Sequence, residues 1–584
     1  MERLGENLRG VNFFGTDGIR GKTDTADLSY LEALSLFRKS AVITPSLIDL
    51  AVRAFVRLIG GDGSSVYVTG SDGRDSVTGN AFVNAMNNAF AASGATVCYL
   101  GVVPTPAVPQ YQILNGCMGA AMLTASHNPS NQNGIKFFFK GKKLLPEGEL
   151  GDLKLSSIML EIALSETSPK KSDGAVKNVD PAKMVLDTLE SSVPVKDMTG
   201  MHFILDTAAG AWTRFADAFF KKNGLSYMRI SEDEKGHNIN RNCGVAEIEG
   251  HESYTRLQIP YAPRIIKTLF ENTDSYGIVT DGDGDRGMLL KYDKASDTVK
   301  VYDGDEEAFL MMGLLSRERS FDGSHIVCTL ESDIMSSVSF AQRFGCRSVI
   351  TDVGDKWICN CNLSDLAIGF ESSGHVIMPI TLENGETLLS GNGLMTAAIS
   401  AVALDKGISS FKRGYSKTFY TYFVNKMLFC QGSKLFEEDA AMLDKSLAET
   451  IKDEKSLSAR KRAFKDRNVL AYEIIRDGLT VALIVSRNSG TEDKNAVYLK
   501  CTPDLTAILE PVAKMLVNRH REAMRNENLP EMEIVRLILC SIDKSGCFTV
   551  SDAQQKDTMF TSVLHALERE GRIKGDGVRY VSAV

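Results

Sequence analysis

The sequence predicts a multidomain α/β protein built from strand–helix–strand units, with a change of architecture in its last third. Three observations predict it. A chain of 584 residues exceeds what one hydrophobic core organises, and points to about three to five domains. From Pro45 to about Phe370, short apolar runs alternate with stretches of helical periodicity, the pattern of βαβ units and a mainly parallel sheet. From about Phe411 the texture turns to alternating strands and a charged helix.

Composition narrows the function. A net charge of −8 argues against a general nucleic-acid binder, which needs a basic face. A few focused Arg and Lys residues still suffice to hold an anionic small molecule. The eleven cysteines are scattered. Cys359 and Cys361 are too close for a zinc knuckle and no second pair answers them. Reduced thiols and a cytoplasmic protein are expected. Met1–Glu6 carries no apolar signal segment, and no run reaches membrane-spanning length.

Taken in order, Phe13–Gly21 is a glycine-rich turn that sets Arg20 to close one side of an anion site. It is no P-loop, because Thr16 stands where the motif needs Gly. Pro45–Ile59 reads as a helix, Val66–Gly70 as a strand ending in the polar turn Ser71–Asp75, Asn80–Ala92 as a helix and Gly94–Leu100 as a strand. The buried strand Gly119–Leu123 then runs into Thr124-Ala125-Ser126-His127-Asn128-Pro129, where Asn-Pro forces a turn. A serine at the exit of a rigid strand, with turn amides, His127 and Lys136 nearby, suits a hydroxyl that carries a phosphoryl group. Read alone, the hexapeptide is a strand ending in a polar turn. Its company along the chain decides. Gly134–Phe139 continues as a strand, and Leu144–Pro181 is a charged boundary.

A second unit starts at strand His202–Asp206, turns at Ala208–Ala211 and enters a helix from Trp212. An irregular polar loop spans Gly236–Gly244, and strand Tyr276–Thr280 leads into Asp281-Gly282-Asp283-Gly284-Asp285-Arg286. In an extended chain, alternate side chains share one face, so Asp281, Asp283 and Asp285 would point together, as Mg²⁺ ligands do. An EF-hand would need Gly at Arg286 and Glu at Tyr292, and fails. The G-x-G-x-x-G of Gly282, Gly284 and Gly287 runs on into a strand, so no helix N-terminus meets a pyrophosphate.

The third unit opens with a helix start at Tyr302–Asp305. It continues through strands Ile326–Leu330 and Ser348–Thr351, the loop Asp352–Trp357, and strand Leu366–Phe370 into Glu371-Ser372-Ser373-Gly374-His375. A carboxylate and a hydroxyl beside a glycine turn can hold sugar hydroxyls. Past Phe411, Tyr420–Val424 reads as an antiparallel strand, Leu435–Lys465 as helical and Leu479–Val485 as a strand, followed by Arg487-Asn488-Ser489-Gly490-Thr491-Glu492. Arg487, two hydroxyls and a glycine make an anion nest. Strand Ala496–Lys500 follows, so this too is no P-loop. After Pro530, helices over Glu533–Cys540 and Met559–Glu570, and a hairpin across Gly575–Gly577, resemble a winged helix. Its seven basic and eight acidic residues are not a DNA-binding balance, and favour packing or protein contact with a partner the sequence does not name.

Phe14–Gly21, Thr124–Pro129, Asp281–Arg286, Glu371–His375 and Arg487–Glu492, in this order, resemble the α-D-phosphohexomutase superfamily over roughly Asn12 to Pro503. The resemblance implies three similar mixed α/β domains and a TATA-box-binding-protein-like α+β fourth domain around a central cleft, here with a winged-helix-like appendage. The expected boundaries are 1–180, 181–301, 302–410, 411–527 and 528–584. It implies a phosphorylated Ser126 and Mg²⁺ on Ser126, Asp281, Asp283 and Asp285. Arg20, His127, Lys136 and Arg286 would surround the reacting phosphoryl group. Asp355, Glu371, Ser373 and His375 would hold the sugar, and Arg487, Asn488, Ser489, Gly490 and Thr491 its second phosphate. Asn238–Asn240 with Cys243-Gly244, Asn133–Phe138 and Thr351–Asp355 are similar to bacterial phosphoglucosamine mutases, although Ser372 stands where that group typically has Gln.

The expected reaction moves a phosphoryl group between O1 and O6 of a hexose phosphate, through phosphoserine and a hexose 1,6-bisphosphate that also serves as activator. Lys136 and His127 are both open as proton carrier. Glucosamine, glucose and mannose phosphates are all open as substrates. A metal-dependent sugar phosphatase and a non-catalytic sugar-phosphate sensor are the alternatives from other classes. The expected partners are small-molecule hexose phosphates, with no nucleic acid and no membrane, and a homodimer is left open.

Overall fold

The computed structural model describes residues 8, 10–15, 17–92, 94–167, 174–231, 237–421, 429–466, 468–488 and 495–526. Beyond these it describes 534, 537, 538, 542, 547–551, 554, 555, 558–569, 573–575 and 578–582. The chain divides into two compact units, Met1–Lys412 and Arg413–Val584.

The first unit contains three mixed sheets. In the first, the strand order is Val42–Ile43, Ile19–Thr23, Gln132–Phe139, Gly119–Leu123, Val66–Ser71, Thr96–Val102, Ala175–Asn178, with Lys142–Lys143 paired to Gln132–Phe139. Gly119–Leu123 is buried along its whole length, which explains an unbroken apolar run rather than an alternating one. Helix Pro45–Leu58 covers this sheet. Thr44 caps it by accepting from the Leu47 amide at 3.3 Å, Pro45 occupies its first turn, and Leu47, Leu50, Ala51, Ala54 and Phe55 are buried.

The second sheet runs Ser226–Arg229, His202–Asp206, Tyr276–Thr280, Gly287–Asp293, Thr298–Tyr302, Ser253–Thr255. The third runs Arg347–Thr351, His325–Thr329, Leu366–Glu371, His375–Thr381, Thr387–Gly391. All three sheets repeat one device. A central strand with a parallel neighbour hands over to an antiparallel one: Gly119–Leu123 to Gln132–Phe139, Tyr276–Thr280 to Gly287–Asp293, and Leu366–Glu371 to His375–Thr381. The sheets are therefore mixed: parallel pairings still predominate in the first, but not in the second and third. The connections 124–131, 281–286 and 372–374 are too short for a crossover, which takes about a dozen residues or more. These connections are the serine turn, the triple-aspartate turn and the Glu-Ser-Ser-Gly-His turn. The stretch read as a loop over Asp352–Trp357 also differs: a short helix, Asp355–Cys359, begins inside it.

In the second unit a five-stranded sheet, ordered Tyr415–Thr421, Asn495–Cys501, Leu479–Asn488, Val469–Arg476, Leu457–Arg462, is antiparallel throughout. Helices Lys434–Ile451 and Thr506–Asn526 belong to the same unit. The expected helix over Leu435–Lys465 stops at Ile451, and Leu457–Arg462 is an edge strand. Its charged sequence is what an edge tolerates. Arg460 and Arg462 reach across to the buried Glu473 at 2.5 and 2.9 Å, a pairing no local periodicity announces. Residues 422–424 of the expected strand Tyr420–Val424 lie outside the described residues.

In the tail, Ile573–Gly575 and Arg579–Ser582 pair as the expected hairpin, and Phe548–Thr549 adds a third strand. Helix Thr558–Arg569 packs Leu564 and Leu567 into a small core with Phe560 and Tyr580. Most of Glu533–Cys540 lies outside the described residues. Among the described residues no helix is long and apolar enough to cross a membrane.

Candidate active site

Ser126 is buried, and its backbone adopts a left-handed φ of 53°. Such a conformation persists only where the surroundings impose it. The Ser126 amide donates to Thr124 Oγ1 at 2.8 Å, and Thr124 Oγ1 donates to Asp72 at 2.6 Å. The Ser126 carbonyl accepts from Arg74 at 2.6 Å and from Asn240 Nδ2 at 2.7 Å. Arg74 is buried, paired with Asp72 at 2.8 Å, and also donates to the carbonyls of Asn128, Pro129 and Gln132. The outcome is a serine whose Oγ donates to Asp281 Oδ2 at 2.7 Å, across 155 positions of sequence.

Asp281, Asp283 and Asp285 are buried, and each offers an oxygen within 4.8 Å of the others. They do not line one side of an extended strand. The segment is a tight turn, with Gly284 at φ 72° and its amide donating to Asp281, so the carboxylates converge by wrapping. Glycine is required twice. A Cβ on Gly284 would lie 2.2 Å from the Trp212 ring, and one on Gly282 would lie 2.9 Å from the Ser126 carbonyl. Asp283 Oδ1 and Asp285 Oδ1 are buried without a hydrogen-bond partner. Buried carboxylate oxygens left unpaired are costly, and a hard divalent cation takes this kind of donor. The residues present therefore fit a divalent metal.

Lys136 is the buried countercharge. Its ammonium lies 2.7 Å from Asp283, 2.8 Å from Asp285 and 3.0 Å from Asp17. Burial disfavours that ammonium, but the three carboxylates outweigh it and raise its pKa well above the ordinary value. Burial and its two neighbouring aspartates push Asp281 well up. Burial also pushes on Asp283 and Asp285, but Lys136 prevails and both sit below the usual range. His127 accepts at Nδ1 from Arg286 at 2.7 Å. Burial, then the Arg286 and Arg20 guanidiniums, lower its pKa to about 3, so its imidazole is neutral. Arg20 pairs with Asp17 at 2.8 Å.

On the third sheet's side, Lys143 joins Asp17 at 2.9 Å to Asp355 at 2.8 Å. His375 is buried, 3.7 Å from both Asp355 and Glu371, and burial lowers its pKa. Glu371 accepts from the Gly354 amide at 2.9 Å, and burial with the nearby Asp355 raises its pKa to about 8. Ser373 is half-buried in the turn between them.

Residues 11–151 match the family description phosphoglucomutase/phosphomannomutase, alpha/beta/alpha domain I, and residues 303–420 match domain III of the same description. The phosphoglucosamine mutase of Nitratiruptor sp. is 28% identical over 483 residues, 81% of this chain and 95% of that protein. That of Alcanivorax borkumensis is 29% identical over 391 residues, 66% of this chain and 78% of that protein. The chain belongs to the α-D-phosphohexomutase superfamily. It is a phosphohexomutase, an isomerase. Its fold is also that of a phosphoglucomutase/phosphomannomutase family protein from Burkholderia thailandensis, with a TM-score of 0.60, 19% identity, and coverage of 88% of this chain and 97% of that one.

Within the phosphohexomutase's first unit, Ser126, His127, Lys136, Arg20, Arg286 and the three aspartates converge, and Asp355, Glu371 and His375 adjoin them through Lys143. The second-phosphate residues are a different matter. Arg487 and Asn488 end a strand rather than opening a loop. Asn488 Nδ2 donates to the Phe429 carbonyl, and its Oδ1 accepts from Asn495 Nδ2 at 3.0 Å. Arg487 lies 3.7 Å from Asp466. Ser489, Gly490 and Thr491 lie outside the described residues, as does Thr16. Sequence reasoning missed Asp17, Arg74, Thr105, Lys143 and Asn240. Thr105 donates to Asp283 Oδ2 at 2.6 Å. Asp17 stood inside a motif already singled out, and Lys143 two residues after the hairpin glycine Gly141. Arg74 carried no local signal beyond a polar turn.

Proposed function

We propose that this phosphohexomutase interconverts the 1-phosphate and 6-phosphate of a hexose, glucosamine phosphate first among the candidates, through phosphorylated Ser126 and a hexose 1,6-bisphosphate. One observation carries the reading: Ser126 Oγ is hydrogen-bonded to an aspartate whose two companions hold buried, unpaired oxygens. The glucosamine assignment draws support from the phosphoglucosamine mutases that align with most of the chain.

A sugar hydroxyl, O6 or O1, attacks the phosphorus on Ser126. The new O–P bond forms as the Ser126 Oγ–P bond breaks. The hydroxyl's proton leaves to a base, and the serine oxygen regains one. The bisphosphate turns round, its other phosphoryl group returns to Ser126, and no phosphate is released. Mg²⁺ held by Asp281, Asp283 and Asp285 would supply charge neutralisation for the phosphoryl oxygens. Arg286 and Arg20 add fixed positive charge beside them. Lys136 enters as a buried cation and His127 as a neutral ring, so the two candidate proton carriers start in opposite charge states. Asp355, Glu371, Ser373 and His375 would face the sugar. The described cysteines are free thiols, which fits a cytoplasmic setting.

Ser126→Ala should abolish 1-to-6 interconversion while the protein stays folded, and intact mass should show phosphate on the wild-type protein alone. Normal turnover by that variant would sink the reading. Kinetics on glucosamine, glucose and mannose phosphates in parallel decide the sugar.

A further inference from the structure

We infer that Asn240, between strands Ser226–Arg229 and Ser253–Thr255 of the second sheet, is a positioning residue that holds the Ser126 backbone for phosphoryl transfer. The inference rests on the reading of Ser126 as the phosphoryl carrier. Asn240 Nδ2 donates to two carbonyls of the serine turn, Ser126 at 2.7 Å and Asn128 at 2.9 Å, 114 and 112 positions away in sequence. The nitrogen end of the carboxamide must face these carbonyls, because its oxygen, an acceptor only, would confront two other acceptors. The same contact involves the metal turn. A Cβ on Gly282 would lie 2.8 Å from Asn240 Nδ2 and 2.9 Å from both Ile239 and the Ser126 carbonyl. Three loops meet at this point: the serine turn, the triple-aspartate turn and the 238–244 loop.

The backbone of the loops around the second sheet locks the arrangement. The Asn240 amide donates to the Ala208 carbonyl at 3.0 Å, and the Ala211 amide donates to the Gly282 carbonyl at 2.8 Å. Ile239 anchors the loop with no exposure. The 238–244 loop thus grips the serine turn while the adjoining 208–211 turn grips the metal turn. Together they fix how far Ser126 Oγ stands from Asp281. Arg74 performs the matching task from the serine's own sheet, so the strained Ser126 carbonyl is held from two sides.

Two features of Asn240 run against stability. Its backbone sits at φ 58°, and its Oδ1 is buried without a partner. Asparagine tolerates the left-handed region better than most residues, but glycine would occupy it with less strain. Strain at this φ and the unpartnered Oδ1 offset what the two hydrogen bonds contribute to the fold. The two donated hydrogens are what asparagine adds.

The test uses the full chain, with Asn240→Gly, Asn240→Asp and Ser126→Ala made side by side. Steady-state kcat and KM for glucosamine 6-phosphate, single-turnover transfer from the phosphoserine enzyme, Mg²⁺ affinity and the thermal midpoint are measured for each. Asn240→Gly should fold with an unchanged or higher midpoint and keep KM and Mg²⁺ affinity, while kcat and the transfer rate fall by about 100-fold, the scale of a misplacement near 1 Å. Asn240→Asp should lose more, since a carboxylate would confront the two carbonyls. Undiminished kcat in Asn240→Gly overturns the inference. So does a loss in which KM rises while Mg²⁺ affinity and midpoint fall with kcat, because that marks a purely structural part. An inactive Ser126→Ala beside a normal Asn240→Gly removes this inference alone. An active Ser126→Ala removes the serine reading and this inference with it.

Discussion

Arg74→Lys keeps a positive charge and removes a shape. The guanidinium of Arg74 is 1% exposed. Its Nε faces Asp72 at 2.8 Å, one terminal nitrogen serves the carbonyls of Asn128, Pro129 and Gln132 at 3.1, 3.3 and 3.0 Å, and the other serves Ser126 at 2.6 Å. Lysine offers a single ammonium and cannot span carboxylate and carbonyls together. If it stays on Asp72, four carbonyls lose a charged donor. The half-buried ones regain water, and Ser126 keeps Asn240, so the net loss is that of one or two charge-assisted hydrogen bonds, about 2–4 kcal/mol. Release of the serine turn should also lower kcat by about 100-fold. Both tryptophans of the chain, Trp212 and Trp357, lie in the first unit, so guanidinium unfolding followed by tryptophan fluorescence reports on the unit that contains Arg74. An unfolding midpoint and a turnover both equal to wild type would refute the clamp.

Four further outcomes follow. Mg²⁺ at 100 times its dissociation constant should stabilise the first unit by about 2.7 kcal/mol. Asp283→Asn should lose most of that gain, and an equal Mg²⁺-induced shift in the variant would rule the triad out as the site. Glu371 has a folded-state pKa of about 8 against a reference of 4.5, so the folded protein binds the extra proton between those values. Stability should therefore decline as pH rises from about 5 to 8, by at most about 1.4 kcal/mol per pH unit. Glu371→Gln should flatten that slope, and a slope unchanged by the substitution would dismiss the cause. Lys143→Met takes from Asp355 its lysine partner, while Asp17 keeps Lys136 and Arg20, and should cost about 3 kcal/mol, read as a lowered thermal midpoint; a midpoint that stays put contradicts it. Finally, inorganic phosphate should accumulate far more slowly than the isomerised sugar phosphate, whereas equal rates would reassign the chain to phosphatases.

The chain's local order was enough to determine its modular α/β character and the chemistry of its main motifs. Strand and helix periods are short-range properties, and Ser126 and the three aspartates lie within a few residues of the strand ends that carry them. Even there the local reading was incomplete. The aspartates converge through a tight turn rather than along one face of a strand, and Leu457–Arg462 became an edge strand because Glu473 pairs with it from the neighbouring one. Which loops meet was decided only by tertiary structure. Lys143 finds Asp355 across 212 residues and Asn240 finds Ser126 across 114, separations over which sequence spacing specifies no distance. The charge states of Lys136 and His127 were decided there too, since a side chain's affinity for its proton depends on burial and on whichever charges the fold brings beside it.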